Sequence, residues 1–174
     1  MSRTNYNLLQ IQAFVFDVDG VLSPSTVPVY MNGEPCRMMN VKDGYALQLA
    51  IKLGYKIAII TGAKSELIKT RYELLGIKDV FIGVENKIEV YEKWVKDNNL
   101  LNDTVVYMGD DIPDYEVMQV TGLACCPNDA AVDVQRIARY ISPYKGGEGC
   151  VRDIIEQTLR AQGLWLNSEH AYKW

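Results

Sequence analysis

The 174-residue chain predicts a single-domain α/β fold over residues 1–174, with a parallel sheet flanked by helices. Three observations carry this expectation. Short apolar runs alternate with stretches of helical periodicity. Two of those stretches end in Leu-Gly, at Gly54 and Gly76, where a left-handed helix terminus needs glycine. The length is typical of one domain with a sizeable core, and no repeat, linker or low-complexity segment interrupts it.

The elements follow in order. Ala13–Phe16 is an apolar run short enough for a buried strand, and it feeds into Asp17-Val18-Asp19-Gly20, a turn. Val27–Met31 and Arg37–Val41 read as extended arms around Asn32-Gly33, a strong hairpin-turn pair, so a β-hairpin is expected over about residues 24–41. Its many apolar residues would form an exposed patch unless they pack on their own sheet or on a second subunit, and the second is favoured. A helix over Gly44–Leu53 and a strand over Lys56–Ile60 come next. Ser65 is a plausible N-cap for a helix reaching Leu75, and Asp79–Ile82 is the following strand. Helix Lys87–Asn98, strand Thr104–Met108, helix Pro113–Val120 and strand Leu123–Cys125 continue the alternation. Helix Ala131–Ile137, a short strand near Tyr140–Ile141 and helix Cys150–Gln162 complete it. The tail, about residues 163–174, carries Trp165, His170, Tyr172 and Trp174. It is either a frayed end with one aromatic docked on the core, or an arm reaching a neighbouring site.

Composition excludes several classes. The net charge is −4, without the basic excess of a nucleic-acid binder. No apolar run approaches a membrane span, and the polar residues 1–12 lack a signal-peptide layout, so a cytoplasmic protein is expected. The cysteines Cys36, Cys125, Cys126 and Cys150 show no C-x-x-C spacing, and His170 is the single histidine, which argues against zinc.

In open parallel sheets ligands bind beyond the carboxyl ends of the strands, so the residues delivered there matter most. The first strand delivers Asp17 and Asp19, which strand alternation points to the same side. Taken alone, Asp-x-Asp is also a turn or capping pattern. The second strand delivers Thr61-Gly62, and the fourth delivers Gly109-Asp110-Asp111 with Asp114 three residues on. Lys87 opens the helix after the third strand. Asp17 and Asp110 can hold magnesium, an ion that wants oxygen ligands. Thr61 and backbone N–H groups can take phosphate oxygens, and Lys87 supplies positive charge. A carboxylate beside a metal can attack phosphorus, and Asp19 can serve as general acid and base. Each part alone has an ordinary explanation as a turn, a loop or a solvated helix residue. Their occurrence together, each after an expected strand, does not.

These four motifs, Asp17-Val18-Asp19-Gly20, Thr61-Gly62, Lys87 and Gly109-Asp110-Asp111-Ile112-Pro113-Asp114, resemble those of haloacid dehalogenase superfamily phosphatases over roughly residues 11–166. The resemblance implies a Rossmann-like, three-layer parallel sheet. It implies Asp17 as nucleophile, Asp19 as acid/base, and Thr61 and Lys87 as phosphoryl ligands. Magnesium would take Asp17, the Asp19 carbonyl and Asp110, with Asp111 and Asp114 in or near its outer shell. Only a hairpin-sized segment fits between Asp19 and Thr61, and only one helix and one strand fit between Thr61 and Lys87, so no full cap domain is expected.

Asn40-Val41-Lys42-Asp43-Gly44 and Gly146-Gly147-Glu148-Gly149-Cys150-Val151-Arg152-Asp153 are similar to segments of 3-deoxy-D-manno-octulosonate 8-phosphate phosphatases. That likeness implies a phosphorylated keto sugar acid as substrate, lipopolysaccharide precursor synthesis as the setting, and a homotetramer assembled through the hairpins. It places Asn40, Lys42, Asp43, Gly44 and Arg71 around the substrate, with Gly62 and Lys64 beside them. Lys42 and Arg71 would suit an anionic sugar acid, although Asp43 could equally cap a helix start and Arg71 could be a surface charge. Two positions depart from the pattern: Ala63 stands where arginine often follows Thr-Gly, and Gln48 stands where a basic residue is common. A nine-carbon analogue, 2-keto-3-deoxynononate 9-phosphate or acylneuraminate 9-phosphate, is therefore the rival substrate. A non-catalytic regulatory subunit and a phosphotransferase are the rival functions. The first is opposed by the retention of Asp17, Asp19, Lys87 and Asp110, and the second by the difficulty of excluding water without a cap.

Overall fold

A computed structural model describes residues 5–31, 33, 35–167 and 169–173. Six strands form one sheet in the order β3-β2-β1-β4-β5-β6, and every pairing is parallel. The strands are β1 (Ala13–Phe16), β2 (Lys56–Ile60), β3 (Asp79–Phe81), β4 (Val105–Met108), β5 (Leu123–Cys126) and β6 (Tyr140–Ile141). The helices are α1 (Val41–Lys52), α2 (Glu66–Glu73), α3 (Lys87–Asp97), α4 (Tyr115–Val120), α5 (Val132–Ile137) and α6 (Cys150–Ala161).

Alternate residues of each central strand enter opposite layers. Phe14, Phe16, Ile57, Ile59, Val106 and Met108 face one side, where Leu47 of α1 and Ile154 and Leu159 of α6 cover them. Ala13, Val15, Ala58, Ile60, Val105 and Tyr107 face the other, under Tyr91 and Trp94 of α3 and Val117 of α4. Strands covered on both faces read as continuous apolar runs rather than alternating ones, which is why they were legible as short apolar blocks. Each fully buried aliphatic side chain contributes roughly 1.5–3 kcal/mol. Gly54 and Gly76 both take φ of +91°, the left-handed terminus their positions call for.

β1 lies at the point where the strand order reverses, between β2 and β4. Its end and the end of β4 are therefore adjacent, with Phe16 opposite Met108 in register. This adjacency puts Asp17 next to the Gly109–Asp111 loop. Between β1 and α1 the described residues form no further helix or strand element.

The expected hairpin is described in part. Among the described residues an antiparallel bridge joins Val29 and Pro35, beside Cys36 N–H donating to the Pro28 carbonyl at 2.7 Å. The prolines at 28 and 35 lack the N–H that a longer ladder would need. The expected turn residue Asn32 lies outside the described residues, as does Trp174 of the tail. Val41 belongs to α1 rather than to a strand, because Asn40 Oδ1 accepts from Lys42 N–H at 2.9 Å and starts the helix three residues early. Ser65 holds the N-cap position of α2, but its side chain makes no capping bond. Val29, Tyr30, Met31 and Met38 are exposed, whereas Met39 packs against the core.

The tail folds onto its own chain. Trp165 is buried, edge-on to Tyr45 of α1 at 6.0 Å, with the Arg152 guanidinium of α6 5.0 Å from its ring centre. Tyr45 Oη donates to the Ala171 carbonyl, and Lys52 Nζ donates to the Lys173 carbonyl at 3.1 Å.

Candidate active site

The carboxyl ends of β1, β2 and β4 open onto a cavity of about 470 Å³. Asp17, Asp19, Thr61, Lys87, Asp110 and Asp114 line it. Ser25, Gly62, Ala63, Glu85 and Asp111 also contribute to its wall. Carboxylate oxygens of Asp17, Asp110 and Asp114 all lie within 4.8 Å of one another.

Lys87, the first residue of α3, is 6 % exposed, and its Nζ lies 2.7 Å from Asp114 Oδ1 and 3.0 Å from Asp17 Oδ2. Burial alone would lower its pKa, but Asp114 and Asp17 outweigh that and raise it, so the ammonium is held charged. Asp114 is fully buried. Its Oδ1 accepts from Lys87 and from Tyr107 Oη at 2.6 Å, and its Oδ2 accepts from the N–H groups of Asp110 and Asp111 at 3.1 and 3.4 Å. Those four donors use all the acceptor positions of a carboxylate. Asp114 thus ties Lys87 to the β4 loop, its oxygens engaged by four protein donors.

Asp17 and Asp110 are different. Burial pushes Asp17 up to about 7, with Asp114 adding to the rise and Lys87 opposing it. Burial pushes Asp110 up to about 8, reinforced by Asp17 and Asp114. Asp110 Oδ1 is buried with no hydrogen-bond partner. Three clustered carboxylates against one ammonium leave uncompensated negative charge, and the donors are all oxygens, so the set fits a hard divalent cation such as magnesium. Gly20 allows the close approach: at φ +86°, a Cβ there would sit 2.0 Å from Asp110 Oδ2.

Thr61, at the end of β2, is buried with its Oγ1 accepting from Ala63 N–H at 3.1 Å. Asp19 stands apart from the acidic trio. The Arg37 guanidinium grips it bidentately, Nε to Oδ1 and Nη2 to Oδ2, both at 2.7 Å, and Ser23 Oγ donates to Oδ1 at 3.1 Å.

The other expected substrate residues do not line this cavity. Asn40, Asp43, Gly44 and Arg71 converge on a separate small pocket with Met39 and Tyr72. Lys42 is exposed and faces a groove along α6, and Lys64 is exposed, with its stem against Gly83. Asp43 is 1 % exposed, and its Oδ1 accepts from Arg152 N–H at 2.7 Å, so it caps α6, whose own N-cap is a glycine. Sequence reasoning missed Arg37, Ser23 and Tyr107. Tyr107 was hidden in an apolar strand, and Arg37 and Ser23 act through contacts that no local spacing announces.

No protein-family model matches the chain. The 3-deoxy-D-manno-octulosonate 8-phosphate phosphatase KdsC of Escherichia coli K12 is 35 % identical over 88 % of this chain and 81 % of its own length. The chain belongs to the 3-deoxy-D-manno-octulosonate 8-phosphate phosphatase family. The cobalt-bound family enzyme of Haemophilus influenzae superposes with a TM-score of 0.88 at 26 % identity, covering 95 % of both chains. The Moraxella catarrhalis enzyme, solved with a magnesium ion, a phosphate ion and KDO, superposes with a TM-score of 0.85 at 29 % identity, covering 90 % of both.

Proposed function

We propose that the chain is a magnesium-dependent phosphatase that converts 3-deoxy-D-manno-octulosonate 8-phosphate to the free sugar acid and phosphate, as its family relatives are named for doing. The observation that carries this is the meeting of Asp17, Asp110, Asp114 and Lys87 at the sheet's switch point, with Asp110 Oδ1 left without a partner. Asp17, Asp110 and the Asp19 carbonyl would hold the ion, with Asp111 beside it. Bound there, magnesium would neutralise charge on the transferring phosphoryl group.

In the first step an Asp17 oxygen bonds to phosphorus, the ester P–O bond breaks, and Asp19 hands a proton to the departing oxygen. In the second, Asp19 takes a proton from water, whose oxygen bonds to phosphorus as the Asp17–phosphorus bond breaks, releasing phosphate. Lys87 and Thr61 hold the phosphoryl oxygens throughout. Asn40, Lys42, Asp43, Gly44, Gly62, Lys64 and Arg71 are the proposed sugar-side residues. Because most of them lie outside the cavity of one chain, a neighbouring copy supplying part of the set is the consistent arrangement. We infer a cytoplasmic homotetramer joined through the exposed hairpin, with the single domain of residues 1–174 as its unit. Ala63 in the cavity wall, where arginine is common, makes a nine-carbon keto acid phosphate the second reading.

Phosphate release from eight- and nine-carbon keto acid phosphates, with and without chelator, tests the reading. A clear preference for the eight-carbon ester, dependence on magnesium, and loss of at least roughly a thousandfold in Asp17→Asn are expected. Equal rates on both, preference for a simple sugar phosphate, or substantial activity in Asp17→Asn would overturn it.

A further inference from the structure

The carboxylate assigned to proton transfer is held by the hairpin segment. Asp19 has about four acceptor positions, and three are engaged: Oδ1 by Arg37 Nε and by Ser23 Oγ, whose one proton is shared with the Val18 carbonyl at 3.3 Å, and Oδ2 by Arg37 Nη2. One position remains, on Oδ2. Ser23 lies where the chain leaves the first turn, and Arg37 lies on the returning arm, 18 residues from Asp19. The clamp therefore spans both feet of the hairpin. The Arg37 side chain is 10 % exposed, whereas that of Asp19 is 41 % exposed. The guanidinium is seated within the protein, and the carboxylate still reaches the cavity it lines. A forked, planar donor fixes a carboxylate in plane as well as in position, which a lysine cannot do.

We propose that Arg37 is a positioning residue for the reaction: its bidentate grip, with Ser23 as third point, sets the Asp19 carboxylate so that a single Oδ2 position exchanges the proton with the leaving oxygen. The proposal rests on the phosphatase reading above. Arg37 touches neither the phosphoryl group nor Asp17 in this role, and acts through Asp19.

Two measurements test it. The first compares kcat/KM for glycerol 3-phosphate and p-nitrophenyl phosphate, neither of which carries a carboxylate. This parameter reports transfer to Asp17, and only the alkyl leaving oxygen demands a proton there. Arg37→Ala should lose at least about tenfold more on the alkyl ester than on the aryl ester. Arg37→Lys, which keeps charge without the fork, should fall between. Equal losses on both esters would overturn the proposal, because Arg37 would then be serving phosphoryl binding or folding. So would a full return of the alkyl rate in Arg37→Lys. The second measurement is a thermal-unfolding cycle of Arg37→Ala, Asp19→Asn and the double variant, in chelator. A double variant less destabilised than the sum of the singles is expected, and strict additivity would break the pairing. This cycle needs no turnover, so a protein that released no phosphate from any ester would sink the phosphatase reading while the pairing itself stood or fell on unfolding data.

Discussion

The β1–β4 edge and the region around the α1 start both carry acidic and basic side chains, yet they are built by opposite means. At the edge, Asp17 and the Asp110–Asp114 loop are placed by the ends of two hydrogen-bonded strands in fixed register. Around α1, Asn40, Asp43 and Arg71 are placed by helix packing: Asn40 Oδ1 caps α1 and Asp43 Oδ1 caps α6, while Asp43 Oδ2 is buried without a hydrogen-bond partner. Backbone that is rigid and buried brings chemistry together reliably, whereas side chains on helix starts are as easily consumed by capping.

The largest effect should come from cutting the knot at the edge. Asp114 accepts from Lys87, Tyr107 and two loop N–H groups with no exposure. Asp114→Ala should cost on the order of 3–5 kcal/mol, since it leaves Tyr107 Oη and two loop N–H groups without their acceptor and Lys87 with Asp17 as its remaining carboxylate. Denaturant unfolding would show it, and a loss under about 1 kcal/mol would mean that the four contacts are dispensable.

The next effect concerns the charge left over at the same edge. With Asp17 raised to about 7 and Asp110 to about 8, the folded chain keeps protons that the unfolded chain has lost above roughly pH 4. Stability without a divalent ion should therefore fall as pH rises from about 4 through about 8. Magnesium at these carboxylates replaces the protons, so it should raise the unfolding temperature more at pH 8 than at pH 5. An equal rise at both would contradict the assignment.

A smaller effect is expected at the α1 side. Asp43→Ala removes the cap of α6 and should cost ~1–2 kcal/mol. KM should rise along with this cost if Asp43 also faces the sugar, as proposed above, and should hold if capping is the whole of its role. A raised KM at unchanged stability would instead put Asp43 on the substrate and erase the contrast drawn between the two regions. Burial lifts Asp43 to about 6, so Asp43→Asn should also flatten the decline in stability between about pH 4 and 6.

Much of this was readable in advance for physical reasons. The strand at Ala13–Phe16 and the one at Lys56–Ile60 matched residue for residue, because doubly covered strands leave an uninterrupted apolar signature. At the hairpin the described residues show an antiparallel bridge between Val29 and Pro35, and the turn residue Asn32 lies outside them; Pro28 and Pro35 have no N–H to give a ladder. Val41 looked like the last residue of an arm until Asn40 claimed it for a helix.

By itself the order of amino acids determined the alternation of elements and the edge at which Asp17, Thr61, Lys87 and Asp110 would gather, since periodicity and strand-end chemistry are local properties. Only the tertiary structure decided which of those groups are free and which are spoken for. Asp114 is saturated by Tyr107 and Lys87, Asp43 is committed to a helix 109 residues away, and Asp19 is held by Arg37. Hydrogen-bond satisfaction of buried groups depends on partners distant in the chain, and no local pattern records them.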